Sequence, residues 1–336
     1  MLERVVFDLD ANLDDELNKA VWWMKSNQDK VNTHQVVLLR MLEGEVHFHI
    51  KDHFLFRIKD EVLPLWPKNN VALVMSDVYL EKNIQDWFSL RNPMTVVSYP
   101  LSLLARTRNY MNDKSIVQPK RHNKLSKKFI CLNAAAKKHR SELVTELYYR
   151  GHAKDGFISW LNRYGSLKQK YFNRPQMFSG QTAILDFSGE NIDKGQTQEI
   201  LPSQYWYCGF DIVQESIVSD TSLFVTEKTW KPILFEKIFI PHGCRGTMAW
   251  LIKQGFEPYT ELYDNSFDDL IYVERFKVLM GQISNLMNYT VEDWISIYED
   301  RNIKEKLRHN RELFRQMSIL GWQERLDELN RQRQAT

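Results

Sequence analysis

The hydrophobic pattern divides the chain into two halves, each alternating short apolar runs with stretches of helical periodicity. In the first half, residues 5–8, 35–41 (QVVLLRM), 71–76 (VALVMS) and 95–98 (TVVS) are continuous apolar runs with polar flanks, as expected of buried strands. Between the first two runs, Leu13, Leu17, Ala20, Val21 and Met24 recur close to helical spacing and predict a helix over 13–25. In the second half, strands are predicted at 128–132, 155–160, 206–213 and 237–241. Helices are predicted at 138–150, ended by Gly151, at 225–235, with a kink or break at Pro232, and at 247–254, capped by Gly255. Residues 163–204 are polar and weakly patterned, and 291–332 read as a charged, amphipathic helical tail. The alternation predicts α/β architecture, and the second half has the order of a nucleotide-binding doubly wound domain.

One composition shift interrupts the pattern. Segment 118–128 (QPKRHNKLSKK) holds five Lys/Arg, a His and a Pro, with Leu125 as its sole aliphatic residue. It reads as an interdomain linker. The expected organisation is an α/β domain on the acceptor side at 1–117, the basic linker at 118–128, a donor-binding domain at 129–290 and a helical region at 291–336. The length of 336 residues fits two domains.

Composition then acts by exclusion. The chain is 43% hydrophobic and 26% charged, with Lys plus Arg 45 against Asp plus Glu 43, which is too apolar and too balanced for a disordered chain. No apolar run is long enough for a transmembrane helix, and the acidic start MLERVVFDLDANLDDE does not read as a signal peptide. Three well-separated cysteines, Cys131, Cys208 and Cys244, point to a reducing, cytoplasmic setting (a host's, for a viral chain) and not to a disulfide framework.

The chemistry concentrates in 212–246, IVQESIVSDTSLFVTEKTWKPILFEKIFIPHGCRG. A carboxylate suits the diol of a ribose, and a Lys beside it at a helix start adds a positive charge to the favourable helix N-terminus. Glu227 and Lys228 have that spacing, with Glu215 upstream. A helix N-cap at Thr226 with an acidic first turn accounts for the same residues without a ligand. A second basic helix start, FICLNAAAKKHRSEL at 129–143, brings Lys137, Lys138 and Arg140 after three small residues that permit close backbone approach.

Glu215-Ser216, then Phe224-Val225-Thr226-Glu227-Lys228, then the apolar run 238–241 together resemble the donor-binding motif of the α1,3-fucosyltransferase family. The segment 129–143 resembles the start of that family's donor domain. Phe224 stands where the family carries Tyr. Gly255-Phe256, the NSFDD segment 265–269 and Arg275 are similar to a viral and bacterial variant. The resemblance implies the GT-B fold, two Rossmann-like domains facing a cleft, and a glycosyltransferase using a nucleotide-diphosphate sugar. It implies a donor site of Glu227, Lys228, Arg140, Glu215, Thr226, Phe224 and Lys138, inversion of configuration, and no required metal or cofactor.

An inverting enzyme of this kind needs a base from the first domain. Asp77 and Glu45 are the leading carboxylates; Glu43, Asp8 and Asp10 are others at strand ends. Asp8-Leu9-Asp10 also fits a D-x-D phosphatase or metal motif. His47, His49 and His53 lack further ligands at metal spacing. The basic run at 120–128 leaves two acceptors open: a glycan, or a hydroxymethylated base in phage DNA, reached through phosphate contacts. A non-catalytic nucleotide-sugar or glycan-binding module is the alternative from another class.

Overall fold

The computed structural model describes residues 2–9, 13–40, 54–67, 70–75, 95–98, 124–133, 137–159, 203–221, 223–317 and 321–334. These form an α/β protein of two compact units. One comprises Met1–Ala105, Thr221–Phe224 and Met317–Thr336, the other Arg106–Asp220 and Val225–Gln316.

The first unit carries a sheet of β1 (Glu3–Asp8), β2 (His34–Arg40), β3 (Val71–Met75) and β4 (Thr95–Ser98) in that order, all neighbours parallel. Helix α1 (Leu13–Ser26) begins with Asp14, Asp15 and Glu16 and ends with Lys25, so both ends complement its dipole. Its buried Leu17, Ala20 and Met24 pack with Val36, Leu38, Leu73 and Met75, on one face of the sheet, and with the short helix α2 (Phe54–Arg57). The alternate strand residues Val37, Ala72, Val74 and Val97 form a separate cluster on the other face.

In the second unit, β5 (Lys127–Cys131), β6 (Gly156–Ile158), β7 (Cys208–Gln214) and β8 (Ile238–His242) form a parallel sheet in the order β6-β5-β7-β8. The chain leaves β5 to build β6 on one side, then returns to build β7 and β8 on the other. The order therefore reverses between β5 and β7, which is a topological switch point. Helix α3 (Lys138–Tyr149) follows β5. It ends as expected at Gly151, whose φ of +74° lets the amides of Gly151 and His152 close on the carbonyls of Tyr148 and Leu147. Helix α4 (Glu227–Leu234) links β7 to β8 and stops two residues after Pro232. Helix α5 (Thr247–Lys253) closes at Gly255 in the same manner as α3, with φ +96°.

From Tyr272 onward the described residues form four helices: α6 (Tyr272–Leu286), α7 (Val291–Glu299), α8 (Arg301–Gln316) and α9 (Gly321–Gln334). Trp294 of α7 stacks on Phe210 at 5.1 Å, and Phe314 of α8 stacks on Trp230 of α4 at 4.9 Å. The region expected as one C-terminal block is thus divided. Helix α7 packs on the second sheet and α8 on α4, whereas α9 returns to the first unit, where Trp322 and Leu326 bury the face made by Val37, Ala72, Val74 and Val97. That face is apolar and requires a cover, which the local pattern of the tail does not reveal. The basic linker also shortens: Lys127 and Lys128 already belong to β5, and 118–123 lie outside the described residues. Among the described residues no helix is long and apolar enough to cross a membrane.

Candidate functional site

Two helix starts meet at the carboxyl ends of β5 and β7, and the dipeptide Glu215-Ser216 joins them. Glu215 is fully buried directly after β7. Its carboxylate accepts from the Thr226 amide (3.0 Å), the Thr226 hydroxyl (2.5 Å), the Thr229 hydroxyl (2.6 Å) and the Ser216 amide (3.2 Å). The Thr226 and Thr229 donors lie in and just before the first turn of α4, where free amides and the dipole favour an anion. Thr226 is the N-cap and accepts from the Lys228 amide at 3.3 Å. The capping role that the sequence offered for Thr226 is therefore present. Glu215 is a positioning residue, because its carboxylate is committed to holding the α4 start.

The backbone of the same dipeptide holds α3. The Glu215 carbonyl accepts from Arg140 Nη2 at 3.0 Å and from His139 Nε2 at 3.1 Å, and the Ser216 carbonyl accepts from Lys137 Nζ at 2.6 Å. Lys228 Nζ donates to Ser216 Oγ at 3.0 Å. Lys137, Arg140 and Lys228 therefore converge on one dipeptide from two helices.

Glu227 is buried, and Lys228 Nζ reaches its Oε1 at 2.6 Å. Burial pushes the Glu227 carboxyl up, but Lys228, its hydrogen bond and Lys231 outweigh burial and hold it at about 2. Glu227 is thus an anion at neutral pH, and Lys228 bridges it to Ser216.

The other expected residues divide. Lys138 is 77% exposed and pairs with Glu142 at 3.7 Å, away from the Glu215-Ser216 junction that its neighbours hold. Phe224 is buried, so its ring is core and not a platform offered to a ligand. Arg275 binds Asp220 at 2.7 Å and the Leu270 carbonyl, while Asp220 also accepts the Tyr272 amide at the start of α6. Asp268, in the 265–269 segment, accepts the Ala249 amide in the first turn of α5. Arg275 and the NSFDD segment therefore hold helix starts. Asp77, Glu45, Glu43, Asp10, His47, His49 and His53 lie outside the described residues. Asp8 ends β1, an edge strand, and is exposed.

Sequence reasoning named Ser216 as part of the motif without a role of its own, and missed Thr229, His139, Gln214 and His242. Gln214 and His242 are the last residues of β7 and β8 and lie opposite each other in register. A polar residue ending an apolar strand (FDIVQ, IFIPH) was the available signal, because strand carboxyl ends line ligand crevices.

No family model matches the chain, and no curated protein is significantly similar to it.

Proposed function

We propose that the second unit binds the diphosphate of a nucleotide-diphosphate sugar and that the chain is a GT-B glycosyltransferase, resembling the α1,3-fucosyltransferases. One observation carries this reading: Lys137, Arg140 and Lys228, with the N-termini of α3 and α4, converge on Glu215-Ser216 at the topological switch point. Open parallel sheets take ligands at this place, and cations clustered beside the start of α3 favour phosphate, while the α4 start is held by Glu215.

In the reaction, an acceptor oxygen attacks the anomeric carbon while the bond from that carbon to the diphosphate oxygen breaks. The electron pair leaves with the nucleoside diphosphate, and the acceptor proton passes to a base, for which Asp77 and Glu45 are proposed. Arg140 and Lys228 stabilise the charge that grows on the leaving diphosphate. Glu227 accepts from ribose or sugar hydroxyls. The acceptor is a glycan or a hydroxymethylated base in DNA.

The test incubates the full chain with a panel of nucleotide sugars and both acceptor classes, and measures nucleoside diphosphate release and sugar incorporation. Acceptor-dependent release, lost in Lys228→Met and Arg140→Met variants that remain folded, is the expected result. Binding of a nucleotide sugar without turnover on either acceptor class makes the protein a binding module. No binding of any nucleotide overturns the reading.

A further inference from the structure

Three residues at the start of α3 hold the Glu215-Ser216 backbone, and one of them, His139, brings a donor without a charge. Its Nε2 lies 3.1 Å from the Glu215 carbonyl oxygen, which also accepts from Arg140 Nη2 at 3.0 Å. A carbonyl oxygen only accepts, so His139 Nε2 carries the proton, and the two lone pairs of the oxygen go one to His139 and one to Arg140. The Glu215 amide donates in turn to the His242 carbonyl at 3.1 Å, and the His242 ring meets the His139 ring edge-on at 5.6 Å, so the acceptor and the imidazole are both held in place. Burial, together with Arg140 and Lys137, pushes the His139 pKa down to about 3 against the pull of the Glu215 carbonyl. The imidazole is therefore neutral at physiological pH, and the positive charge at this junction belongs to Lys137, Arg140 and Lys228.

We propose that His139 is a positioning residue for the diphosphate: by occupying one lone pair of the Glu215 carbonyl, it fixes the direction from which Arg140 approaches. This rests on the diphosphate reading above and deepens it. His139 touches no ligand in this role and acts through Glu215 and Arg140. A guanidinium can meet an oxygen with one N–H or with two. With His139 in place, Arg140 meets the Glu215 carbonyl through Nη2, which also lies 3.5 Å from the Gln214 carbonyl. Without His139, the guanidinium can turn a second N–H onto the vacated lone pair and withdraw it from the phosphate. The fold tolerates the loss, because Arg140 still satisfies the buried carbonyl.

The experiment measures affinities of the full chain for inorganic pyrophosphate and a panel of nucleoside diphosphates, in wild type, His139→Leu, His139→Gln, Arg140→Met and the His139→Leu/Arg140→Met double variant, with denaturant unfolding of each. His139→Leu is expected to weaken pyrophosphate and the preferred nucleoside diphosphate equally, by about 10-fold, the worth of one charge-assisted hydrogen bond. His139→Gln, which returns an uncharged N–H, recovers most of the loss. In the Arg140→Met background His139→Leu has no further effect, because the residue it positions is already gone. If the double variant does not fold, NMR signals of the Arg140 guanidinium in His139→Leu replace it: displaced signals support the role and unmoved signals overturn it. The His139 ring signals are expected not to titrate across pH 5 to 8, where an unperturbed His titrates at about 6.5. Affinity that survives His139→Leu but falls in Arg140→Met overturns the role of His139 while the diphosphate site stands. So does a loss confined to the nucleoside diphosphate, or one that only follows the unfolded fraction. Failure of every probe to bind wild type overturns both.

Discussion

Replacing Glu215 by Ala removes an acceptor on which four donors converge. The Thr226 and Thr229 hydroxyls can rotate toward other acceptors, but the amides of Thr226 and Ser216 are fixed by the backbone and buried with the carboxylate. A buried donor left unsatisfied costs about 1–3 kcal/mol, so the two amides alone place the loss at about 2–6 kcal/mol before any cavity effect. Thr229→Val removes one hydroxyl donor and is expected to cost about 1–2 kcal/mol. The two changes share a partner, so their double-mutant cycle should show coupling of about 1 kcal/mol or more. Denaturant unfolding of the full chain gives the stabilities, and hydrogen exchange of the 227–234 amides shows whether α4 loses its start. A Glu215→Ala protein with unchanged exchange in α4 and a loss below about 0.5 kcal/mol would refute the positioning role. Glu215 would then be a side chain held for a ligand, and only binding would suffer.

The remaining predictions concern titration and packing. Glu227, held at about 2 in the fold, contributes stability that is complete above its unfolded value and is lost as pH falls through about 2; Glu227→Gln should flatten the stability profile between about pH 4.5 and 2, measured by denaturant titration. Asp211 has the opposite sign. Burial lifts it to about 7 despite Lys237, so its contribution is present at low pH and lost as pH rises through about 7. Asp211→Asn should therefore gain stability relative to wild type at pH 8 compared with pH 5, and an unchanged difference between the two pH values contradicts the assignment. Gly209→Ala should cost about 1–3 kcal/mol by overpacking, because a Cβ there lies 2.5 Å from the Trp294 ring and 2.7 Å from the Lys128 carbonyl. An unchanged melting temperature contradicts that packing.

Much of this architecture was legible because its signals are local. The apolar runs predicted at 35–41 and 71–76 supply the buried strands His34–Arg40 and Val71–Met75, and Gly151 and Gly255 end helices where a positive φ closes the turn. The boundary errors have local causes as well. Trp206 and Tyr207 look like strand residues but belong to a 3-10 turn leading into β7; the carbonyls of Tyr205 in the turn and Cys208 at the strand start are held by the buried Lys237 amine, 2.8 and 2.6 Å away. That contact spans about thirty residues and leaves no periodic trace. The assignment of α9 to the first unit is likewise a matter of which apolar face needs a cover. At the site, Lys228, Glu227 and Arg140 were visible as charges at helix starts. The role of Glu215 was not, because a carboxylate that binds a ligand and one that caps a helix from a neighbouring strand look alike until Thr226 and Thr229 are seen to converge on it.

The central claim is that the starts of α3 and α4 form one diphosphate site. Calorimetric titration of the full chain with nucleoside diphosphates, alongside Lys228→Met and Arg140→Met, tests it most directly. The account predicts saturable binding of at least one nucleoside diphosphate, with each variant folded and weakened by about 10-fold or more, a loss of about 1.4 kcal/mol. Absence of binding in wild type, or affinity that survives both substitutions unchanged, would contradict it.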